Sequence, residues 1–183
     1  MKVEGSIYQI KVTLLHTRPP IWRRILVERA YNLSDFHDVI QVAMGWTDSH
    51  LHQFIIGEKF YGMPDPAGWS DCVDERSVSL GEVLRKRKGK MMYEYDFGDG
   101  WLHEIVLEDI LPAKSDAVYP LVVAGRRACP LEDCGGVGGY YHFLAAIQDP
   151  DHPDHKEMKE WWEDPFDPAA FDIDETNRVF HRG

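Results

Sequence analysis

Residues 91–107, MMYEYDFGDGWLHEIVL, decide the fold of this chain. The segments Met91–Phe97 and Trp101–Leu107 are rich in aromatic and aliphatic side chains, which predicts two strands. The pair Asp99-Gly100 between them is a frequent tight turn of antiparallel hairpins. The sequence therefore predicts a central hairpin.

The register of this hairpin depends on the length of its loop. With a two-residue loop, Asp96 would lie directly opposite His103, and opposed residues share a face of the sheet. Such a carboxylate–histidine pair fixes the tautomer of the imidazole and suits a metal ligand or a general base. A purely structural cross-strand pair is the alternative, and a loop of three or four residues would break the register.

Further elements lie on both sides of the hairpin. Ser34 is the expected N-cap of the first helix, Gly45 is its expected C-cap, and Ser79-Leu80-Gly81-Glu82 fits a capping box. That capping box predicts a short helix ending near Lys88-Gly89, whereas residues 112–139 are expected to be irregular. The remaining predicted strands are Tyr8–Leu14, Ile21–Val27 and His50–Ile56, with Phe60-Tyr61 as a possible continuation, and the remaining predicted helices are Asp35–Met44, Tyr140–Gln148, Lys156–Trp162 and Asp174–Phe180.

Strands dominate the first part of the chain and helices the last part. This order predicts an α+β fold, with helices packed on one face of a largely antiparallel sheet and a helical C-terminal part. The 183 residues, 44% of them hydrophobic, are expected to form a single domain over 1–183 with a core at about 6–180.

The charge of the chain is strongly acidic, with a net value of -11. This balance disfavours nucleic acid as a partner. The basic cluster Arg85–Lys90 is expected to be a solvated helix end. No apolar run is long enough to span a bilayer and no signal peptide precedes the first strand, so a cytoplasmic location without membrane contact is expected.

Histidines and cysteines supply the candidate metal ligands. His50 and His52 would share one face of a strand, so that both imidazoles can reach one ion. His103, Cys129 and Cys134 are the further candidates for a site of zinc or another divalent metal. The alternative for the histidine pair is an ordinary polar sheet face, and the odd number of cysteines argues against a disulfide framework.

Motifs of other chemistries are absent from the sequence. No Gly-x-Ser-x-Gly nucleophile motif and no phosphate-binding loop with a following lysine occurs. The glycine run 135–139 precedes a predicted helix, and a tight turn explains it better than an anion site.

Several segments together resemble the plasmid pRiA4b ORF-3-like family, from about Tyr8 to Phe180. The resemblance implies an α+β domain of unknown function found in bacteria and archaea, and it supplies no catalytic residues. Some relatives carry a resolvase-like label, which the acidic charge and the missing arginine constellation argue against. The segments that carry the resemblance are Pro20-Ile21-Trp22-Arg23-Arg24, Leu33–His37, Gly45-Trp46, His50–Phe54, Tyr95–His103, Cys129–Gly136, Asp149–Pro153 and Phe166-Asp167-Pro168.

Three functions are consistent with these patterns. The first is a binding or adaptor domain for an unknown protein or small ligand. A nucleic-acid protein of mobile elements is a further alternative. The remaining alternative is a metal-dependent hydrolase, in which His50, His52 and His103 bind the metal. In that hydrolase Asp96 orients His103, and Asp99 or Glu104 activates the metal-bound water.

Overall fold

The computed structural model describes residues 6–65, 67 and 71–181. These residues form eight strands, five α-helices and one short 3-10 helix, Glu75–Ser77. The strands are β1 Ile7–Leu14, β2 Ile21–Glu28, β3 His52–Ile56, β4 Lys59–Gly62, β5 Val73–Asp74, β6 Lys90–Tyr95, β7 Trp101–Leu111 and β8 Leu121–Arg126. The helices are α1 Leu33–Met44, α2 Leu80–Val83, α3 Gly136–Gln148, α4 His155–Trp161 and α5 Ile173–Phe180.

The strands form one sheet in the order β5-β4-β3-β6-β7-β1-β2-β8. Every neighbouring pair is antiparallel except β4 and β5, which are parallel. The hairpin β6–β7 lies in the middle of this order, as the sequence predicted. The predicted α+β class and the largely antiparallel sheet are confirmed.

One face of the sheet is buried under helix α1. Along β1, Ile10, Val12 and Leu14 are buried, whereas the alternating Lys11 and Thr13 are partly exposed. Helix α1 contributes its apolar stripe to the same core cluster, including a fully buried phenylalanine at position 36. This alternation follows from the two-residue period of a strand, and it places any inward-facing polar residue between the sheet and the helix.

The ends of helix α1 are fixed by local hydrogen bonds. Asn32 is the N-cap, since its side chain accepts from the Asp35 amide and the Asp35 carboxylate accepts from the Asn32 amide. The prediction of Ser34 as the N-cap was therefore wrong by two residues. The C-cap prediction is confirmed, because Gly45 has the left-handed φ of 98° that favours glycine.

The loop of the central hairpin is longer than predicted. Tyr95 pairs with Trp101 and Tyr93 with His103, so the loop spans residues 96–100. Asp96 begins this loop with a left-handed φ of 58°. The predicted pairing of Asp96 with His103 was therefore wrong, and the two side chains do not form a dyad.

Three other boundaries differ from the sequence prediction. Strand β8 lies inside the segment expected to be irregular, where it pairs with β2. Helix α2 ends at Val83 instead of Lys88-Gly89, although its Ser79–Glu82 capping box is confirmed. Strand β3 begins at His52, so that His50 lies in the preceding loop.

A buried arginine ties three elements together. The Arg23 guanidinium donates to the carbonyls of Ala43, Trp22 and Arg126, and it stacks on the Phe171 ring at 3.7 Å. Burial lowers the pKa of Arg23 to about 10, with Cys129 acting in the opposite direction. These contacts join β2, β8 and the C-terminal end of α1.

No helix in the described ranges is long and apolar enough to cross a membrane.

Candidate functional site

A cavity of about 500 Å³ opens between β3, the N-terminal half of α1 and the 3-10 helix. Imidazoles and carboxylates dominate its polar lining. The histidines are His37, His50 and His52, and the acids are Asp38, Asp48 and Glu75. This concentration of titratable groups in one cavity makes it the candidate site.

His37 belongs to a closed hydrogen-bond network under the cavity floor. Its Nδ1 lies 2.8 Å from the Tyr93 hydroxyl, and its Nε2 lies 2.8 Å from Asp48 Oδ1. Gln41 donates its amide to the Tyr93 hydroxyl and accepts from the Asp48 main-chain amide. Because the hydroxyl accepts from Gln41, its own proton points to His37 Nδ1, and His37 Nε2–H donates to Asp48.

This network leaves His37 as a neutral imidazole. Burial, followed by the neighbouring His52, lowers the pKa of His37, although hydrogen bonding to Asp48 acts in the opposite direction. Both nitrogens of the ring are thus engaged, one as an acceptor and one as a donor.

His52 stacks directly on His37. The ring centroids are 3.4 Å apart and the planes are 6° from parallel. His52 Nε2 lies 2.8 Å from Oε2 of the buried Glu75. This carboxylate fixes the orientation of the His52 ring in the way that acids orient catalytic and metal-binding histidines.

His50, in the loop before β3, forms a separate cluster with two carboxylates. Its Nε2 lies 3.1 Å from Asp133 Oδ1 and 3.7 Å from Asp96 Oδ2. One ligand atom from each of the three residues lies within 4.8 Å of the others. The Nε2 atom is shielded from solvent and forms no hydrogen bond within the described part of the chain.

Both aspartates of this cluster have a left-handed backbone, and loop amides orient the carboxylate of Asp96. Asp96 and Asp133 have left-handed φ values of 58° and 59°. Asp96 Oδ1 accepts from the amides of Gly98 and Asp99, which leaves Oδ2 towards His50. Left-handed aspartates that bind their own loop in this way form preorganised turns.

The segment 129–136 carries Asp133 and is anchored against the sheet. The Trp46 indole donates to the Pro130 carbonyl at 3.1 Å, and the Tyr95 hydroxyl donates to the Glu132 carboxylate. Thr47 also donates to Glu132 through both its amide and its hydroxyl. These contacts of Pro130 and Glu132 therefore hold the neighbouring Asp133 beside His50.

Two glycines let this segment approach its neighbours. The Asp99 carboxylate accepts from the Gly135 amide, and a Cβ on Gly136 would lie 2.4 Å from the Asp99 carbonyl oxygen. A Cβ on Gly139 would lie 1.7 Å from the Cys134 carbonyl oxygen. Close backbone approach explains Gly136 and Gly139, but the prediction of a tight turn before the helix was wrong, because residues 136–139 form the first turn of α3. Asp99 is a loop anchor in this arrangement.

His103 lies apart from both clusters. It is fully buried between the sheet and Trp46, and its Nδ1 lies 3.3 Å from the Tyr93 carbonyl oxygen. Burial lowers the pKa of His103 to about 4, against the raising effect of backbone hydrogen bonds. A neutral imidazole in the core is a packing element here.

The remaining predicted site residues are also separate. Burial raises the pKa of the Cys129 thiol, and burial followed by Asp99 raises the pKa of Cys134 to about 12. Within the described ranges, neither cysteine belongs to a group of potential metal ligands. Glu104 binds Lys90 Nζ at 2.8 Å, and its position beside the inward-facing His103 places it on the opposite face of the sheet.

A third group of potential ligands lies between α3 and α4. His142 Nε2 is 3.2 Å from Asp154 Oδ2. His152 Nδ1 accepts from the Asp154 amide at 3.1 Å, so a metal at this nitrogen would have to break that hydrogen bond.

The sequence reasoning selected His50, His52 and Asp96 but missed the partners of these residues. His37 interrupts the apolar stripe of α1, and this histidine among apolar residues could have identified it as a site residue. Asp133 lies between the two cysteines that attracted attention instead. Nothing in the sequence pattern marks Glu75, which reaches His52 from a distant segment.

The fold and the site define a class of α+β proteins with a histidine- and carboxylate-lined cavity at the end of an antiparallel sheet. The chain belongs to the plasmid pRiA4b ORF-3-like protein family, whose model matches residues 6–175. It is 39% identical over 177 residues to the uncharacterized protein y4hQ of Sinorhizobium fredii (strain NBRC 101917 / NGR234), covering 96% of this chain and 91% of that protein.

A solved structure shares the fold. The crystal structure of the protein of unknown function MM3350 from Methanosarcina mazei Go1 superimposes with a TM-score of 0.83 at 35% identity. The match covers 92% of this chain and 96% of that one. The family and the fold are therefore shown, and function has to be argued from the site.

Proposed function

We propose that this chain is a single ligand-binding domain and that one of its ligands is a divalent metal ion. The ligands of the ion are His50 Nε2, Asp96 Oδ2 and Asp133 Oδ1. One observation carries the proposal: a solvent-shielded imidazole nitrogen without a hydrogen bond in the described chain faces two carboxylate oxygens at 3.1 and 3.7 Å. Buried polar atoms normally have a partner, and a metal ion would supply it.

The donor set indicates the kind of metal. One imidazole and two carboxylates suit first-row divalent ions such as Mn²⁺, Fe²⁺ or Zn²⁺. Three protein ligands also leave coordination positions for water or a second ligand.

The stacked histidines His37 and His52 are a poorer metal site, although their ring nitrogens also lie near Asp48. Both nitrogens of His37 are engaged in hydrogen bonds. In addition, lone pairs of imidazoles lie in the ring planes, and planes only 6° from parallel do not direct them to one point.

Calorimetric titration of tag-free, chelator-treated protein with Mn²⁺ and Zn²⁺ tests the proposal. One ion per chain is expected, and His50→Ala, Asp96→Asn and Asp133→Asn should each weaken the binding at least tenfold. His16→Asn and Asp116→Asn change an exposed histidine and an exposed aspartate and serve as matched controls. Unchanged affinity in the three ligand variants would refute the site.

A metal-dependent hydrolase is the second candidate, because His52 lines the same cavity as His50 and is oriented by Glu75. A histidine–carboxylate pair beside a metal-bound water is a general-base arrangement. Metal-loaded protein should then cleave activated esters faster than the free metal ion, and His52→Ala should remove the acceleration without releasing the metal. Equal rates for protein and free metal would eliminate this candidate.

The basic cluster Arg85–Lys90 gives little support to the nucleic-acid hypothesis, because several of its side chains already have partners. Arg87 lies 3.4 Å from Asp109, and Lys90 lies 2.8 Å from Glu104. Arg85 donates to the Glu82 carbonyl at the end of α2. Three of the five cations in this cluster are thus already paired with carboxylates or engaged by backbone.

A further inference from the structure

The cavity has a strongly acidic lining beyond the metal ligands. Asp38, Asp48 and Glu75 contribute carboxylates, whereas no lysine or arginine lines it among the described residues. The described lining therefore contains no lysine or arginine charge to balance these carboxylates. A phosphate or carboxylate ligand would be repelled, and a cation would be attracted.

Two of these carboxylates have accepting capacity left. Asp48 receives His37 at Oδ1, and its side chain is 56% exposed. Asp38 is exposed and forms no hydrogen bond or ion pair within the described chain. Partial burial and the nearby carboxylates Asp48, Asp35 and Glu75 raise the pKa of Asp38, while His37 lowers it.

The rim of the cavity is apolar. Leu51, Met63 and Phe97 line it and are 64%, 71% and 51% exposed. Exposed large apolar side chains that gather at one opening are a mark of a binding site. The cavity therefore combines exposed carboxylates with an apolar edge.

We propose that this cavity binds a small organic cation, a primary amine with an apolar arm. The ammonium group binds Asp38 and Asp48, and the arm lies against Leu51, Met63 and Phe97. Three donors on an ammonium match the free carboxylate oxygens, and the apolar edge removes the arm from water. This site uses none of the three metal ligands proposed above, so the two proposals stand independently.

The probe is 2-phenylethylamine, titrated by NMR into metal-free protein with chelator present. Binding should shift the signals of Met63 and Phe97, and it should weaken with added salt. The matched anion 3-phenylpropanoate should bind at least tenfold more weakly. Asp48→Asn and Asp38→Asn should each weaken the amine at least fivefold, and Phe97→Ala should weaken it without changing the binding of methylammonium.

The following outcomes decide whether the cavity binds the amine. Equal binding of the amine and the carboxylate, or an unchanged affinity in the Asp38→Asn/Asp48→Asn double variant, overturns the proposal. His50→Ala should weaken metal binding at least tenfold and keep the amine, so a failure of the metal site is distinguishable from a failure of this one. A thermal melt of each variant shows that it remains folded, and Asp116→Asn controls for the general loss of negative charge.

Discussion

The imidazole rings of His37 and His52 lie face to face, 3.4 Å apart, between helix α1 and strand β3. Each ring also has its own carboxylate, Asp48 for His37 and Glu75 for His52. The Tyr93 hydroxyl fixes the His37 tautomer from below. The cavity floor is therefore polar, and its hydrogen bonds join residues from five separate segments.

Removal of the Tyr93 hydroxyl should destabilise the protein. Tyr93→Phe leaves Gln41 Nε2 and His37 Nδ1 without their partner in a buried place. A buried polar group without a partner costs about 1–3 kcal/mol, so the free energy of unfolding measured in urea should fall by about this amount. Tyr119→Phe is the control, because the Tyr119 hydroxyl accepts only in an exposed turn and its loss should cost less than about 0.5 kcal/mol. Equal effects of the two substitutions would contradict the network.

Acid should destabilise the fold through His103. The pKa of this buried imidazole is about 4 in the folded protein, against about 6.5 for an unfolded histidine. The unfolded state therefore takes up a proton first as the pH falls, and stability is lost from about pH 6.5 down to the folded pKa. The expected loss from this group between pH 7.5 and pH 5 is about 2 kcal/mol.

His103→Phe isolates this contribution. The substitution keeps an aromatic ring against Trp46 and Tyr93 and removes the titrating group. The difference in unfolding free energy between pH 7.5 and pH 5 should shrink by about 2 kcal/mol relative to the parent. The absolute stability of the variant does not matter for this comparison, and an unchanged pH dependence would show that His103 is not the acid-sensitive group.

The fold was largely predictable because its strongest patterns are local. Two-residue alternation of apolar and polar residues predicted β1, and the Asp99-Gly100 turn predicted the β6–β7 hairpin. The register failed because Asp96 is left-handed and lengthens the loop, a choice that depends on amides within the loop itself. Strand β8 was missed because its partner β2 is distant in sequence and supplies the pairing.

The site was predictable only in part for a related reason. His50, His52 and Asp96 belong to motifs that attract attention by composition, but their grouping depends on tertiary contacts. His50 meets Asp133 because segment 129–136 folds back onto the hairpin, and His52 meets Glu75 through the 3-10 helix. A sequence shows which side chains are available, and the topology decides which of them converge.

The glycine run at the start of α3 provides a paired test of close packing. Gly139→Ala places a Cβ 1.7 Å from the Cys134 carbonyl oxygen. The backbone must move, and the free energy of unfolding should fall by about 3 kcal/mol. A Cβ on Gly138, in the same helix, meets no atom within 4 Å. Gly138→Ala should therefore stabilise the protein by about 0.5–1 kcal/mol through helix propensity, and similar effects at both positions would count against the packing argument.

Glu132 should act as a positioning residue for the proposed metal site. Its carboxylate accepts from Thr47 and Tyr95 and so holds the segment that presents Asp133 to His50, without itself reaching the three ligand atoms. Removal of supports of this kind typically costs 10–100-fold in metal affinity. Glu132→Ala should therefore weaken Mn²⁺ binding about tenfold and leave the stoichiometry at one ion per chain.

Glu132→Gln should lie between the parent and the alanine variant, because its amide oxygen still accepts one hydrogen bond whereas its NH₂ group cannot accept the others. Glu58→Ala, in the exposed turn between β3 and β4, controls for the loss of one negative charge. A purely structural role for Glu132 would lower the unfolding free energy and leave the affinity for Mn²⁺ unchanged. Weaker metal binding in a variant that melts like the parent would instead place Glu132 in the support of the site, because only the position of Asp133 relative to His50 would then have changed.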